Sequence, residues 1–437
     1  MLRPILISTI SLIILFTGCE ESPTAADSTS TVFKTFGGDY DDIGSAVLQT
    51  PDGGYLVVGT SFSGSVDTPT LSDLFVIQTN SEGDTVATKV FNTVLTGTNA
   101  SEITSFDLIS DVKLLDDGGY ILVGSKFDPT TNYDVWLIKL DASLNVVFSE
   151  KFDGPGTANG NDFGFSVNVC DDNGFIISGK TFNTDSGFDM WVIKTDSGGN
   201  LPAGDNTTAG GFGDTGTPGY YVNTTPLMND AANYVVQTSS GEYVVVGEIR
   251  TDNDNNDMII LKLSSKGVLM SSAPDPGTFN TDGFNTFGGG LDESAKFVQE
   301  TSDGGFILVG NSYSNGSGQS DIYIVKSDSD GSKVWDSYVG SSRNDFANAV
   351  QQTSDGGFVI VGNTFGDSSN IMVVKILPNT QGEIDWQYSM DGGYDDVGYH
   401  ISQTSDGGFI VTGSTYSATK MNEVILIKLD ASGSQEF

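Results

Sequence analysis

The chain has 437 residues, with 57 acidic against 19 basic side chains and a formal net charge of −38. Such a field repels polyanions, which excludes nucleic-acid binding and adhesion to anionic lipid through protein charge. The 55 glycines beside only 37 % hydrophobic residues point to a turn-rich all-β chain that keeps its apolar residues for short strands.

Residues 1–18 contain a single Arg3 and an apolar stretch from Ile5 to Phe16, and they end in Thr17-Gly18 before Cys19. The stretch is too short for a membrane span and reads as a signal peptide. It resembles a bacterial lipoprotein signal, which implies that Cys19 becomes the lipidated first residue, anchored to a membrane. Glu20 follows that Cys where inner-membrane lipoproteins often carry Asp, so the resemblance implies an outer-membrane lipoprotein facing the periplasm or the cell surface. Residues 19–30 lack any hydrophobic pattern and read as a flexible tether.

From residue 31 to 437 one pattern repeats. Its clearest copy runs from Gln299 to Trp335: an apolar run to Thr301, a Ser-Asp-Gly-Gly turn, a second run from Phe306, a third from Asp321 to Lys326 and a fourth from Ser332. Tight Gly/Asp turns between β-branched runs signal hairpins, so each copy predicts four short antiparallel strands. The copies can be counted on Gly59, Gly124, Gly179, Gly247, Gly310, Gly362 and Gly413, each four residues after Tyr55, Tyr120, Phe175, Tyr243, Phe306, Phe358 or Phe409. Seven units at a minimum spacing of 51 residues predict a seven-bladed β-propeller. The last unit stops where its fourth strand should begin, while Val32 to Phe36 matches a fourth strand, so the N-terminal strand is expected to complete the C-terminal blade and close the ring.

Two sets of charges recur. Eight residues before the Thr301 slot stand Asp42, Asp107, Asp162, Asp230, Glu293, Asp345 and Asp396. Each is expected to cap a turn or accept backbone hydrogen bonds; the functional alternative is a ring of carboxylates near the central channel that holds a cation. The third strands end in Lys139, Lys194, Lys262, Lys326, Lys375 and Lys428, five residues after Asp134, Asp189, Asp257, Asp321, Asn370 and Glu423. An odd offset puts acid and Lys on opposite sides of one strand, so each must find a partner elsewhere.

Insertions at residues 197–228 and 271–285, with loops 61–72, 125–133 and 248–256, are expected on one face. Variable loops on a rigid scaffold are where binding commonly resides. Phe212, Tyr220 and Tyr221 are the candidate binding aromatics there. No cofactor is expected. Asp252, Asp254 and Asp257 form an incomplete calcium-loop pattern that lacks its Gly. Cys170 occupies a slot held elsewhere by Thr, which predicts a small core residue without a disulfide. His400 is the single histidine, in register with Ala46, Ser166, Tyr234 and Ala349, and is read as a packed side chain rather than a general base. No nucleophile elbow or histidine metal cluster is present.

The runs Thr35-Phe36-Gly37-Gly38, Asp52-Gly53-Gly54-Tyr55 and Asp134-Val135-Trp136-Leu137-Ile138-Lys139 resemble the repeat of a broad class of bacterial secreted and lipoprotein β-propellers. The resemblance implies the fold and carries little about function. The resulting expectation is a monomeric, non-enzymatic module that binds a protein or polysaccharide. The alternatives are a polysaccharide hydrolase or lyase using carboxylates at the channel mouth, and a structural scaffold of the envelope.

Overall fold

The computed structural model describes residues 33–38, 40–65, 68–91, 105–128, 130–155, 157–201, 220–222, 229–250, 255–270, 284–418 and 420–437. The signal segment, Cys19 and the tether lie outside them. Among the described residues no helix is long and apolar enough to cross a membrane.

The alternation of short apolar runs and Gly/Asp turns produces seven sheets of four antiparallel strands. Blade 5 shows the plan: an inner strand Glu293–Glu300, then Phe306–Ser312, Asp321–Ser327 and the outer Lys333–Val339. Inner strands of successive blades neighbour one another all round the ring, the first beside the last. Lys34–Phe36 pairs antiparallel with Met421–Leu429, so the N-terminal strand completes blade 7 as expected. Blade 1 carries one extra short strand, Ser105–Phe106, parallel to Thr68–Thr79.

The core is divided among the joints between blades. Seven clusters of buried side chains each span two adjacent blades, the one at the closure including Phe36, Val47, Phe75, Ile410 and Leu426. Fully burying one Val, Ile or Phe contributes about 1.5–3 kcal/mol, so no blade can forgo its neighbours.

Gly310 shows why the marker glycine recurs. A Cβ there would lie 1.8 Å from the carbonyl oxygen of Ser294 on the paired inner strand. That close approach accompanies a β-bulge found in all seven inner strands, in blade 5 between Ala295 and Phe297. The turn Lys set finds its partner on the first turn of its own blade: Lys194 meets Asp172 at 2.7 Å, Lys375 meets Asp355 at 2.9 Å and Lys428 meets Asp406 at 3.0 Å.

Candidate active site

Past the bulge, each inner strand turns the residue four before its turn toward the axis or the adjoining joint. These residues are Ala46, Asp111, Ser166, Tyr234, Phe297, Ala349 and His400. In blades 1 and 6 the residue is Ala; in blades 2, 4, 5 and 7 it is charged, aromatic or His. The sevenfold symmetry therefore breaks here. A cavity of about 380 Å³ lies around the axis, walled by Lys113, Asn168, Tyr234, Phe297, Gln299, Gln351, His400 and neighbouring residues of all seven inner strands. This volume falls near the lower end of the range of small-molecule sites, about 300–1,000 Å³.

Asp111 is almost fully buried. Its carboxylate accepts from the Val112 and Val167 amides at 2.8 and 3.2 Å, and both oxygens meet Lys113 Nζ at 2.6 Å. Burial alone would lower the Lys113 ammonium; Asp111 and the Tyr234 hydroxyl outweigh it and hold the amine above its usual range. Burial pushes the Tyr234 phenol well above its ordinary value, with Asp111 adding to the effect, so the hydroxyl keeps its proton. The Tyr234 ring stacks on Phe297 at 3.9 Å between centroids, and the His400 ring lies 6.1 Å from that of Phe297, tilted against it.

Burial and, second, the positive Lys113 bring the His400 imidazole down to about 4. At neutral pH it is uncharged, and its buried Nδ1 has no hydrogen-bond partner. A neutral imidazole with a free nitrogen can accept a proton. Elsewhere in the wall, Gln299 and Gln351 each commit their carbonyl oxygen to the backbone amide of the following inner strand, at 2.6 Å in both cases. Their Nε2 groups remain to donate to a ligand. Glu300, at the turn end of the cavity, is held by the Ser239 amide and hydroxyl, both at 2.8 Å.

The seven repeated acids do not form a ring around the axis. Each lies in a joint and is nearly inaccessible. Asp42, Asp162, Glu293, Asp345 and Asp396 accept from the backbone amides of Gly38, Gly154, Gly289, Ser341 and Gly392, which lead into their own blades. Asp107 and Asp230 accept from the amides of Phe127 and Arg250. Across the joint Asp42 faces Glu423, Asp162 faces Asp134, and Glu293 faces Asp257. Burial raises Asp257 to about 6, with Glu293 adding to it, so this acid belongs to the joint set. Asp252 and Asp254 lie outside the described residues.

Tyr220 and Tyr221 fall in the short outer strand Tyr220–Val222 of blade 3, and Phe212 lies outside the described residues. Cys170 is buried and free, its thiol pushed up to about 12 by burial. The cavity is walled by the C-terminal halves of the inner strands, toward the turns that follow them. The described residues that flank the insertions and loops expected to bind lie at the opposite ends of those strands. Sequence reasoning passed over Asp111, Lys113 and Phe297. The available signal was a carboxylate at a repeat position that holds Ala, Ser, His or an aromatic in the other units.

No family model and no curated protein matches the chain. Among solved structures it is similar to polysaccharide lyase Uly1, with TM-score 0.51 and 11 % identity over 89 % of this chain and 90 % of that one. A polysaccharide lyase PL25 ulvan lyase, solved with a bound GlcA(1-4)Rha3S unit, superposes with TM-score 0.49 at 10 % identity over 92 % and 97 % of the two chains. The NanB sialidase from Streptococcus pneumoniae gives TM-score 0.41 at 13 % identity over 92 % and 70 %. The expectation of a non-enzymatic binding module is corrected by the likeness to Uly1, a polysaccharide lyase, which favours the alternative of a polysaccharide-cleaving enzyme taken up below as a proposal. At 11 % identity the likeness to Uly1 shows the fold alone.

Proposed function

We propose that the protein is an extracytoplasmic enzyme that cleaves a uronate-containing polysaccharide by elimination at the axial cavity. The observation that carries this reading is the broken symmetry of the inner strands, which places Lys113, Tyr234 and His400 around one cavity in an otherwise repetitive scaffold. Elimination needs a cation beside the uronate carboxylate, a base for the proton next to that carboxylate and an acid for the departing glycosidic oxygen. Lys113 supplies the cation. The neutral His400 takes the proton from C5, the C4–O bond breaks as the C4–C5 double bond forms, and the Tyr234 hydroxyl protonates the leaving oxygen.

Hydrolysis by a carboxylate pair fits less well, because Asp111 is bound to Lys113 and Glu300 to Ser239. The glutamine amides suit the hydroxyl groups of a sugar. The likeness to a polysaccharide lyase supports the same reading at the level of the scaffold. The Cys19 anchor, with a chain facing the periplasm or the cell surface, is part of the proposal and would set the enzyme where such polymers occur.

The test is to incubate the purified protein with uronate-containing polysaccharides and follow reducing ends together with the ultraviolet absorbance of unsaturated uronate. Elimination raises both in step, and Tyr234→Phe and His400→Gln each reduce the rate by about 10²-fold or more. Reducing ends without the absorbance would mean hydrolysis. Neither signal on any uronate polymer rejects the reading.

A further inference from the structure

The joint between blades 2 and 3 differs from the other joints in a way that points to a ligand. Asp134 opens the third strand of blade 2 across from Asp162 on the inner strand of blade 3, and Asp153 sits on the chain that links the two blades. Carboxylate oxygens of the three lie within 4.8 Å of one another.

One oxygen of the cluster stands out as uncommitted. Asp134 Oδ2 accepts from the Thr131 hydroxyl at 2.8 Å and from Lys151 at 3.2 Å, while its Oδ1 is buried with no hydrogen-bond partner. Asp162 Oδ2 accepts from the Gly154 amide at 2.6 Å, and the Thr181 hydroxyl serves the Asp162 carboxylate from the paired strand. Both residues are nearly inaccessible, at 2 % and 1 %. A buried charged oxygen without a donor, Asp134 Oδ1, is a costly arrangement unless a cation completes it. Lys151 does not cancel the charge, because it is shared with Asp128 at 2.7 Å. Three carboxylates against that one ammonium leave two negative charges in the joint.

We propose that this joint binds one divalent cation through the carboxylate oxygens of Asp134, Asp153 and Asp162. An all-oxygen donor set with a half-open side, where Asp153 is exposed, suits a hard ion of the calcium type that completes its shell with water. The position of Gly154 keeps the space clear: a Cβ there would come within 2.5 Å of Asp162 Oδ1. The joint between blades 5 and 6 has the buried pair, Asp321 and Asp345, each with Oδ1 unpartnered, but Gly340 stands where Asp153 does. The pair alone thus recurs in the repeat, and Asp391 repeats the third acid in the blade 6–7 joint beside Asn370; among the described residues only the blade 2–3 joint combines all three acids. The ion would tie blade 2 to blade 3 far from the axial cavity.

The experiment is calorimetric titration of chelator-treated protein with CaCl₂ in about 0.15 M KCl, where screening weakens exposed carboxylates. Thermal melts with and without Ca²⁺ accompany it. One stoichiometric site is expected, with a melting temperature that rises with Ca²⁺. Asp153→Asn, at an exposed position, should fold as the wild type by circular dichroism and lose affinity about tenfold or more, since one charge beside a divalent ion is removed. Asp391→Asn alters the corresponding position of the blade 6–7 joint, where Asn370 replaces the strand acid, and should leave the titration unchanged. A flat titration and Ca²⁺-independent melts overturn the proposal. So does a site that Asp153→Asn leaves intact.

Discussion

Asp111→Asn gives the sharpest test of the axial cluster, because its cost can be separated from any loss of activity. The carboxylate side chain is 4 % exposed and that of Lys113 is 24 % exposed. Removing one member of a buried ion pair costs about 3–5 kcal/mol, since the other charge is left without its partner. Lys113 keeps some contact with solvent in the cavity, so Asp111→Asn should cost about 2–3 kcal/mol after that discount. Lys113→Met strands the more deeply buried charge, with only the Val112 and Val167 amides to hold it. It should fall at the upper end, about 3–5 kcal/mol. The double variant leaves no unpaired charge and should cost less than the sum of the singles by about 2 kcal/mol or more. Urea denaturation of the three variants measures the coupling. Single costs that add to within about 0.5 kcal/mol would show that the pair is solvated, and the argument that the cavity is a desolvated site would fall with it.

Two other expectations concern the joints. Phe36 is 1 % exposed in the closing joint, so Phe36→Ala should cost about 3–5 kcal/mol in urea denaturation, and removal of residues 33–38 should uncover the edge of Met421–Leu429 and promote association visible by light scattering. An unchanged midpoint for Phe36→Ala would mean that the ring does not depend on its N-terminal strand. Burial raises Asp162 from 3.8 to about 6 in the folded chain. The folded state then binds more protons than the unfolded one between about pH 4 and 6, so this group's contribution to stability falls as pH rises through that window. In the presence of chelator, Asp162→Asn should therefore gain on the wild type by up to about 3 kcal/mol from pH 4 to 7. A difference independent of pH refutes the shift.

Much of the fold was legible because the repeat writes each constraint seven times. Gly310 and its six counterparts mark the close strand approach, Asp303 and its counterparts the turn that Lys326 grips, and Phe36 the missing fourth strand. Pairing of the two acidic sets was not legible. The odd offset correctly separated each acid from the Lys of its own strand, but which acid meets which depends on how neighbouring blades stack. That distance is set by packing across a joint and leaves no trace in the spacing along one strand.

The site was hidden for a related reason. Long, variable insertions drew attention to one face because loop variation is a common sign of binding. The symmetry-breaking residues instead occupy positions of the inner strands that read as core, and a single Asp111-Val112-Lys113 run in a chain with 57 acids carries little weight by itself. Its meaning comes from placement beside the axis, where the charge of one blade reaches Tyr234 and His400 of two others. A propeller gathers the inner strands of all its blades around one axis, so a substitution in one repeat can meet residues of blades distant in sequence. Comparing each repeat position across the seven units, and asking which unit departs, is therefore the reading of the sequence that leads to the cavity.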